Sequence, residues 1–431
     1  MPKADEGSPH PAFGHPLPAH AGRGLHNDDS LRTPHCVLFL TVFIDLMGFG
    51  IVVPVLAFSA NVYGAGGMTL GLILGSFSVM QFLFSPVWGS LSDRIGRRPV
   101  LMASLFGNVL GFLTFAFAMN VAMLFASRIL CGIAAASIAT AQAYVADTSD
   151  EAGRAKGMAN ITLAFGLGLV IGPPFGGVLS NAGIDFGFPA TLFPGAAAAL
   201  LSAIALLLAT FALPESNPRR IANRGRWLPV DIQSWRAFFR LRGLRLAGLA
   251  MAVLMCTFAA ITPLLVMVGR DRYGLTAREV GYLFGVIGVV VVFLQLAVVD
   301  RIARRLGDIP AAMLGAAALF LGVVLIPLTR DTRVLVVATA LIGAGQGICI
   351  PTLSAYISRV APATDRGGML GISSSLIALA RVIGPPVAGF AYDALATPGA
   401  LFSQAAIVIV AIALTLRLVT APRTRSPSLP A

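Results

Sequence analysis

The stretch Phe43 to Pro54, FIDLMGFGIVVP, places one carboxylate, Asp45, inside an otherwise apolar run. A charge at such a depth is costly and faces a partner or an aqueous path. All five histidines (His10, His15, His20, His26 and His35) lie within the first 35 residues. A proton step deep in the apolar part of the chain must therefore use a carboxylate. Asp45 is the only acidic residue deep inside any apolar run. Arg128 is a second buried charge. At about 1.5 Å per residue, Asp45 lies about 14 Å from one end of its run and Arg128 about 10 Å from the opposite face. Across about 30 Å of hydrocarbon their heights differ by about 6 Å, within reach of an arginine side chain. The two are expected to pair, and a carboxylate so placed can load and release a proton as a cavity opens to each side. The alternative is a structural hydrogen bond to a neighbouring helix. Gln81, Gln142, Tyr144, Gln346 and Tyr356 are further candidates for a cavity wall, and Arg381 for a gate or packing residue.

These groups need elements that hold them in lipid. The chain is 57% hydrophobic and only 12% charged, with a mean hydropathy of +0.84. Soluble domains carry about 25% charged residues, so the composition is that of an all-α polytopic membrane protein. Spanning helices need about 20 mostly apolar residues, and unpaired strands are excluded from hydrocarbon. Twelve spans are expected, at 36–58, 70–90, 99–119, 121–145, 157–181, 191–213, 246–268, 277–298, 310–328, 334–356, 369–393 and 400–420. They fall into two six-helix bundles, 36–213 and 246–420. Between them lies a linker at 214–245. Beyond them lie a Pro- and His-rich tail at 1–35, expected to be disordered and cytoplasmic, and a short tail at 421–431.

With the N-terminus inside, 24 of the 31 Lys and Arg residues fall on the inner side and 5 on the outer. This bias places both termini in the cytoplasm. It accounts for the net charge of +12 as topology and contact with anionic lipids, not as a nucleic-acid surface. WRAFFRLRGLR in the linker reads as a basic amphipathic segment on the inner leaflet or as a plain charged linker. The four cysteines fall in apolar runs without metal-ligand spacing, and no metal site is expected.

The two bundles are related in sequence. AYVADTSDEAGRAKGMA from Ala143 and AYISRVAPATDRGGMLG from Ala355 align at an offset of 212. At the same offset Arg154 meets Arg366, and VIGPP at 170–174 meets VIGPP at 382–386. Duplicated six-helix halves imply a central site between them and alternating access around it. Asp45 has Thr257 as its counterpart, so the titratable chemistry sits in one half.

Two motifs stand apart from the cavity. GSLSDRIGRRP (Gly89, Asp93, Arg94, Gly96, Arg97, Arg98) joins spans 2 and 3, with glycines permitting a tight backbone and charges able to form a network. Its second-half counterpart, ARRLGDIP, has Arg304 in place of Asp93. In GLGLVIGPPFGG, Gly168, Gly172 and Gly176 form one smooth helix face, and Pro173 and Pro174 bend the helix. Gly384, Pro385 and Pro386 repeat this in the second half. Ordinary small-residue packing would place the same glycines.

With the FIDLMGFGIVVPVL opening, QFLFSPVWGSLSDRIGRRPVL, SRILCGIAAA and GLVIGPPFGG, the chain resembles the major facilitator superfamily over residues 36–420. The match is to its twelve-span drug–proton antiporters, the tetracycline and multidrug exporters. The resemblance implies that Asp93 stabilises the outward-facing state against the start of span 11. It implies that Arg97 pairs with Asp147 as a conformational latch, that Arg128 takes a cavity-facing role in proton transfer rather than snorkelling to the outer interface, and that the GPP motif marks an exporter. It also implies a proton gradient as energy source, no cofactor, and an inner-membrane location. The tetracycline exporters' span-3 aspartate falls at Gly111, their span-8 histidine near Val291 and their span-9 aspartate near Leu319. These departures favour a broader or different amphipathic substrate. The function expected is proton-coupled efflux by a monomer in contact with membrane lipids. A metabolite transporter, such as one for sugar, is the runner-up, ahead of a membrane sensor or enzyme.

Overall fold

A computed structural model describes residues 28–135, 137–149, 151–216, 232–362 and 365–419. Most of the N-terminal tail, much of the linker and the C-terminal tail lie outside them. The described residues form helices: α1 (Asp28–Val62), α2 (Gly67–Ile95), α3 (Arg97–Ala116), α4 (Val121–Ala134), α5 (Ser137–Thr148), α6 (Glu151–Asp185), α7 (Leu192–Ala212), α8 (Ile232–Arg240), α9 (Arg242–Tyr273), α10 (Ala277–Ala297), α11 (Val299–Leu306), α12 (Asp308–Leu328), α13 (Thr332–Val360) and α14 (Arg366–Val419). Eleven segments among the described residues are long and apolar enough to cross a membrane, with α4 and α5 together counting as one, Val121–Thr148. The eleventh, Gly368–Val419, has 52 residues, about 78 Å of helix against a core of about 30 Å. Ala396, at φ 56° and ψ −177°, breaks it. Each limb is long enough to span, so this one element covers the last two expected spans.

Other boundaries differ for local reasons. The expected fourth span is divided where Ala135 leaves helical geometry at ψ 57°. α1 begins eight residues before the expected span, inside the segment read as a tail. The amphipathic segment of the linker is helical as α8, and its Phe238 is fully buried beside Gly248 and Leu376. That anchor ties α8 to the second bundle.

The bundles meet through glycine faces. A Cβ on Gly172 would lie 2.8 Å from the Gly50 backbone of α1, and one on Gly168 2.9 Å from Leu46. Only glycine lets the backbones approach so closely. In the second half Gly384 packs in the same way against Cys256 and Ala260 of α9. Gly281 and Gly285 of α10 pack against Pro173 and Pro174 of α6, and Gly71 and Gly75 of α2 against Pro385 and Pro386 of α14. Each GPP segment thus grips its own bundle on one side and the opposite bundle on the other. At the end where α2 begins, Asp393 of α14 completes the contact. Gly67 and Met68 donate backbone hydrogen bonds to its two carboxylate oxygens at 2.7 and 2.8 Å. α2 has no side-chain cap of its own, so the other half satisfies its first N–H groups.

Candidate functional site: a central cavity with one carboxylate

A cavity of about 310 Å³ lies between the bundles. Its volume is at the lower end of the range for small-molecule sites. α1 supplies Asp45, Phe49 and Gly50, and α2 supplies Phe77, Ser78 and Gln81. The second bundle contributes Phe258, Thr262, Phe284, Gln295, Gln346 and Arg381. Phe49 and Phe77 pack with ring centroids 4.9 Å apart. The walls are therefore mostly apolar, with a few polar groups able to orient a ligand.

Asp45 is 6% exposed and accepts a 2.7 Å hydrogen bond from Asn108 Nδ2 on α3. α6 passes directly against the next turn of α1, because Gly168 and Gly172 leave no side chain between them. Arg128 is 1% exposed and lines the same cavity. Its Nη2 lies 3.2 Å from Ser127 Oγ and 3.7 Å from Cys131 Sγ, and its guanidinium sits 5.8 Å from the Phe115 ring centroid. Its Nε has no hydrogen-bond partner among the described residues. Asp45 and Arg128 thus share one wall, and Asn108 is one partner of Asp45. Asn108 escaped the sequence reading, although a lone amide deep in an apolar span was its signal.

Of the five candidate wall residues, Gln81 and Gln346 line the cavity. Tyr144 does not: it is buried and donates a hydrogen bond to the Pro214 carbonyl at 3.1 Å. Gln142 is exposed, and Tyr356 packs beside Gly243. The break at Ala135 separates Gln142 and Tyr144 from the helix that carries Arg128, so counting along one continuous helix misplaces them. Arg381, read as a gate or packing residue, faces the cavity.

The charged motif has a different form from the loop expected. Residues 89–95 belong to α2 and 97–99 to α3, and Gly96 alone connects them at φ 107°. Gly89 sits mid-helix with open space around it and serves no tight turn. Arg94 is in the last turn of α2, where a cation suits the helix dipole. Arg97 Nη1 lies 2.5 Å from Asp93, its Nε 2.9 Å from Asp147, and it donates to Ser92 Oγ at 2.7 Å. Asp93 is described against Arg97 in its own half, not against the start of α14. Glu215 takes a part that was not foreseen: the backbone N–H groups of Arg97 and Arg98 donate to its carboxylate at 2.8 and 3.2 Å. It caps α3 from the end of the sixth span. The Arg98 side chain donates to the Thr210 carbonyl.

The second half carries this arrangement with its polarity reversed. Asp308 stands where the first half has Arg97, and Arg359 where it has Asp147. The two form an ion pair with Asp308 7% exposed.

The family model for the Major Facilitator Superfamily matches residues 38–335 and 301–431. The chain belongs to the major facilitator superfamily. It is a multi-pass transporter of that superfamily, not an enzyme. It is 31% identical to the class C tetracycline resistance protein of Escherichia coli, over 84% of this chain and 90% of that one. It is 25% identical to multidrug resistance protein 2 of Bacillus subtilis (strain 168), over 84% and 89%. Among solved structures, the human organic anion transporter MFSD10 (TETRAN) is 26% identical, with a TM-score of 0.66, 89% of this chain and 99% of that chain covered. A bacterial homolog of the human lysosomal transporter Spinster superposes with a TM-score of 0.75 at 13% identity, over 91% and 97%. It supports the superfamily fold alone.

Proposed function

We propose that this transporter exports small amphipathic compounds in exchange for protons, by alternating access around the central cavity. The observation that carries the reading is Asp45, the single carboxylate among the described residues in the wall of a mostly apolar cavity between two duplicated bundles. Arg128 on the same wall keeps that region neutral when Asp45 is ionised and positive when it is protonated. Protonation therefore changes what the cavity accepts. The tetracycline and multidrug resistance relatives favour efflux. With both termini cytoplasmic in the inner membrane, the Asp393 contact lies at the outer end, and the Arg97–Asp147 and Asp308–Arg359 pairs lie at the inner end. The halves then close outward across Gly67 and Gly389, and each inner pair holds its own half together. No cofactor enters this cycle, and the proton gradient supplies the energy. The bundles at 36–213 and 246–420 move as the two units, with one chain sufficient.

Inverted membrane vesicles incubated with a panel of amphipathic compounds in the outer medium test this. Acid-inside ΔpH is expected to drive accumulation of at least one tetracycline or other amphiphile, and nigericin to abolish it. Accumulation that is insensitive to nigericin would overturn proton coupling, and sugar as the only cargo would favour the metabolite reading.

A further inference from the structure

Among the described residues the cavity wall holds one carboxylate, Asp45, and two guanidiniums, Arg128 and Arg381. Asp45 and Arg128 both belong to the first bundle. Arg381 stands on the opposite wall, on α14, and among the described residues it makes no hydrogen bond or ion pair. Among the described residues that line the cavity the one carboxylate is Asp45, which belongs to the other bundle. Arg381 is deep in the protein yet half-exposed, because its head faces the void. At the repeat offset its counterpart is Leu169, which also lines the cavity. The duplicated architecture therefore does not require a cation at this position.

A guanidinium held in a mostly apolar cavity without a counter-charge is costly unless something enters to pair with it. Its planar fork matches a carboxylate through two parallel hydrogen bonds. Phe258 and Phe284 of the same bundle add apolar surface to the cavity wall. We propose that Arg381 recognises an acidic group on the substrate, and that the cavity selects amphipathic anions over amphipathic cations of the same shape. The inference rests on the cavity being the transport site, and not on how the proton is coupled. Arg381 thereby sets specificity, while Asp45 on the facing wall carries the proton.

Equilibrium dialysis of the full chain in nanodiscs tests this with three probes of one shape: 2-naphthoate, 2-naphthamide and 2-naphthylmethylammonium. Wild type is expected to bind naphthoate about tenfold or more tighter than the amide, as one charge-assisted pair supplies, with the ammonium weakest. Arg381→Gln should bring the naphthoate-to-amide ratio close to one, and Arg381→Lys should keep a reduced preference. Because the ratio is read within each variant, a partial loss of folded protein does not affect it. Absence of naphthoate binding, equal affinity for acid and amide in wild type, or a preference that survives Arg381→Gln would each overturn the assignment. Vesicles that accumulate none of the panel would instead count against the transport reading, whatever the dialysis ratio.

Discussion

Arg359→Ala is expected to destabilise the protein well beyond Asp308→Asn, although the two residues form one ion pair. Their burial is unequal: the Asp308 side chain is 5% exposed and that of Arg359 65%. Without Arg359 a carboxylate stays buried at the N-terminus of α12, with no other ion-pair partner among the described residues. Breaking a buried pair this way costs about 3–5 kcal/mol, and a helix N-terminus returns about 0.3–1 kcal/mol. The net loss is about 2–5 kcal/mol. Removing the charge of Asp308 leaves Arg359 largely in water, and the loss is that of an exposed pair, about 0.2–1 kcal/mol. Unfolding of purified protein in mixed micelles with rising SDS fraction, followed by tryptophan fluorescence, measures both. The double swap Asp308→Arg with Arg359→Asp restores a pair with the polarity of the first half. It should lose less than the sum of the two single charge reversals. Equal losses for Arg359→Ala and Asp308→Asn, or strict additivity in the swap, would refute the unequal burial and the coupling.

Gly71→Ala should strongly reduce monodisperse protein on size exclusion, because its Cβ would meet the Pro385 backbone, whereas Gly89→Ala, in open space, should behave as wild type. Glu215→Ala removes the acceptor for two α3 N–H groups and should cost about 1 kcal/mol in the same unfolding assay. Asp393→Ala releases the first turn of α2 from the opposite half. Spin labels at the exposed positions Val62 and Leu395 should then report longer distances by double electron–electron resonance, and an unchanged distribution would argue against a clamp.

The fold was legible because lipid forces a simple grammar: apolar runs of span length, positive charge on one side, and a repeat at a fixed offset. Asp45, Arg128, Gln81 and Gln346 were legible for a related reason, as isolated polar groups in apolar helices. What escaped depends on distant partners. Glu215 reaches Arg97 across 118 residues, and nothing local in LPES announces a helix cap. The Asp308–Arg359 pair is hidden in the sequence because both halves carry charges at these positions but with reversed sign. Gln142 and Tyr144 lie off the cavity because the break at Ala135 interrupts the helix that would carry their facing on from Arg128, while Tyr356 sits on continuous α13 and packs beside Gly243. Gly89 shows the converse: a glycine in a charged motif, mid-helix, without a turn to make.

The most direct test of the central role of Asp45 compares active and passive movement of one compound in the same vesicles. For Asp45→Asn, acid-inside ΔpH should no longer drive accumulation, while counterflow of that compound at equal pH persists, since the cavity and its moving halves remain. Accumulation at the wild-type level in Asp45→Asn would contradict the account.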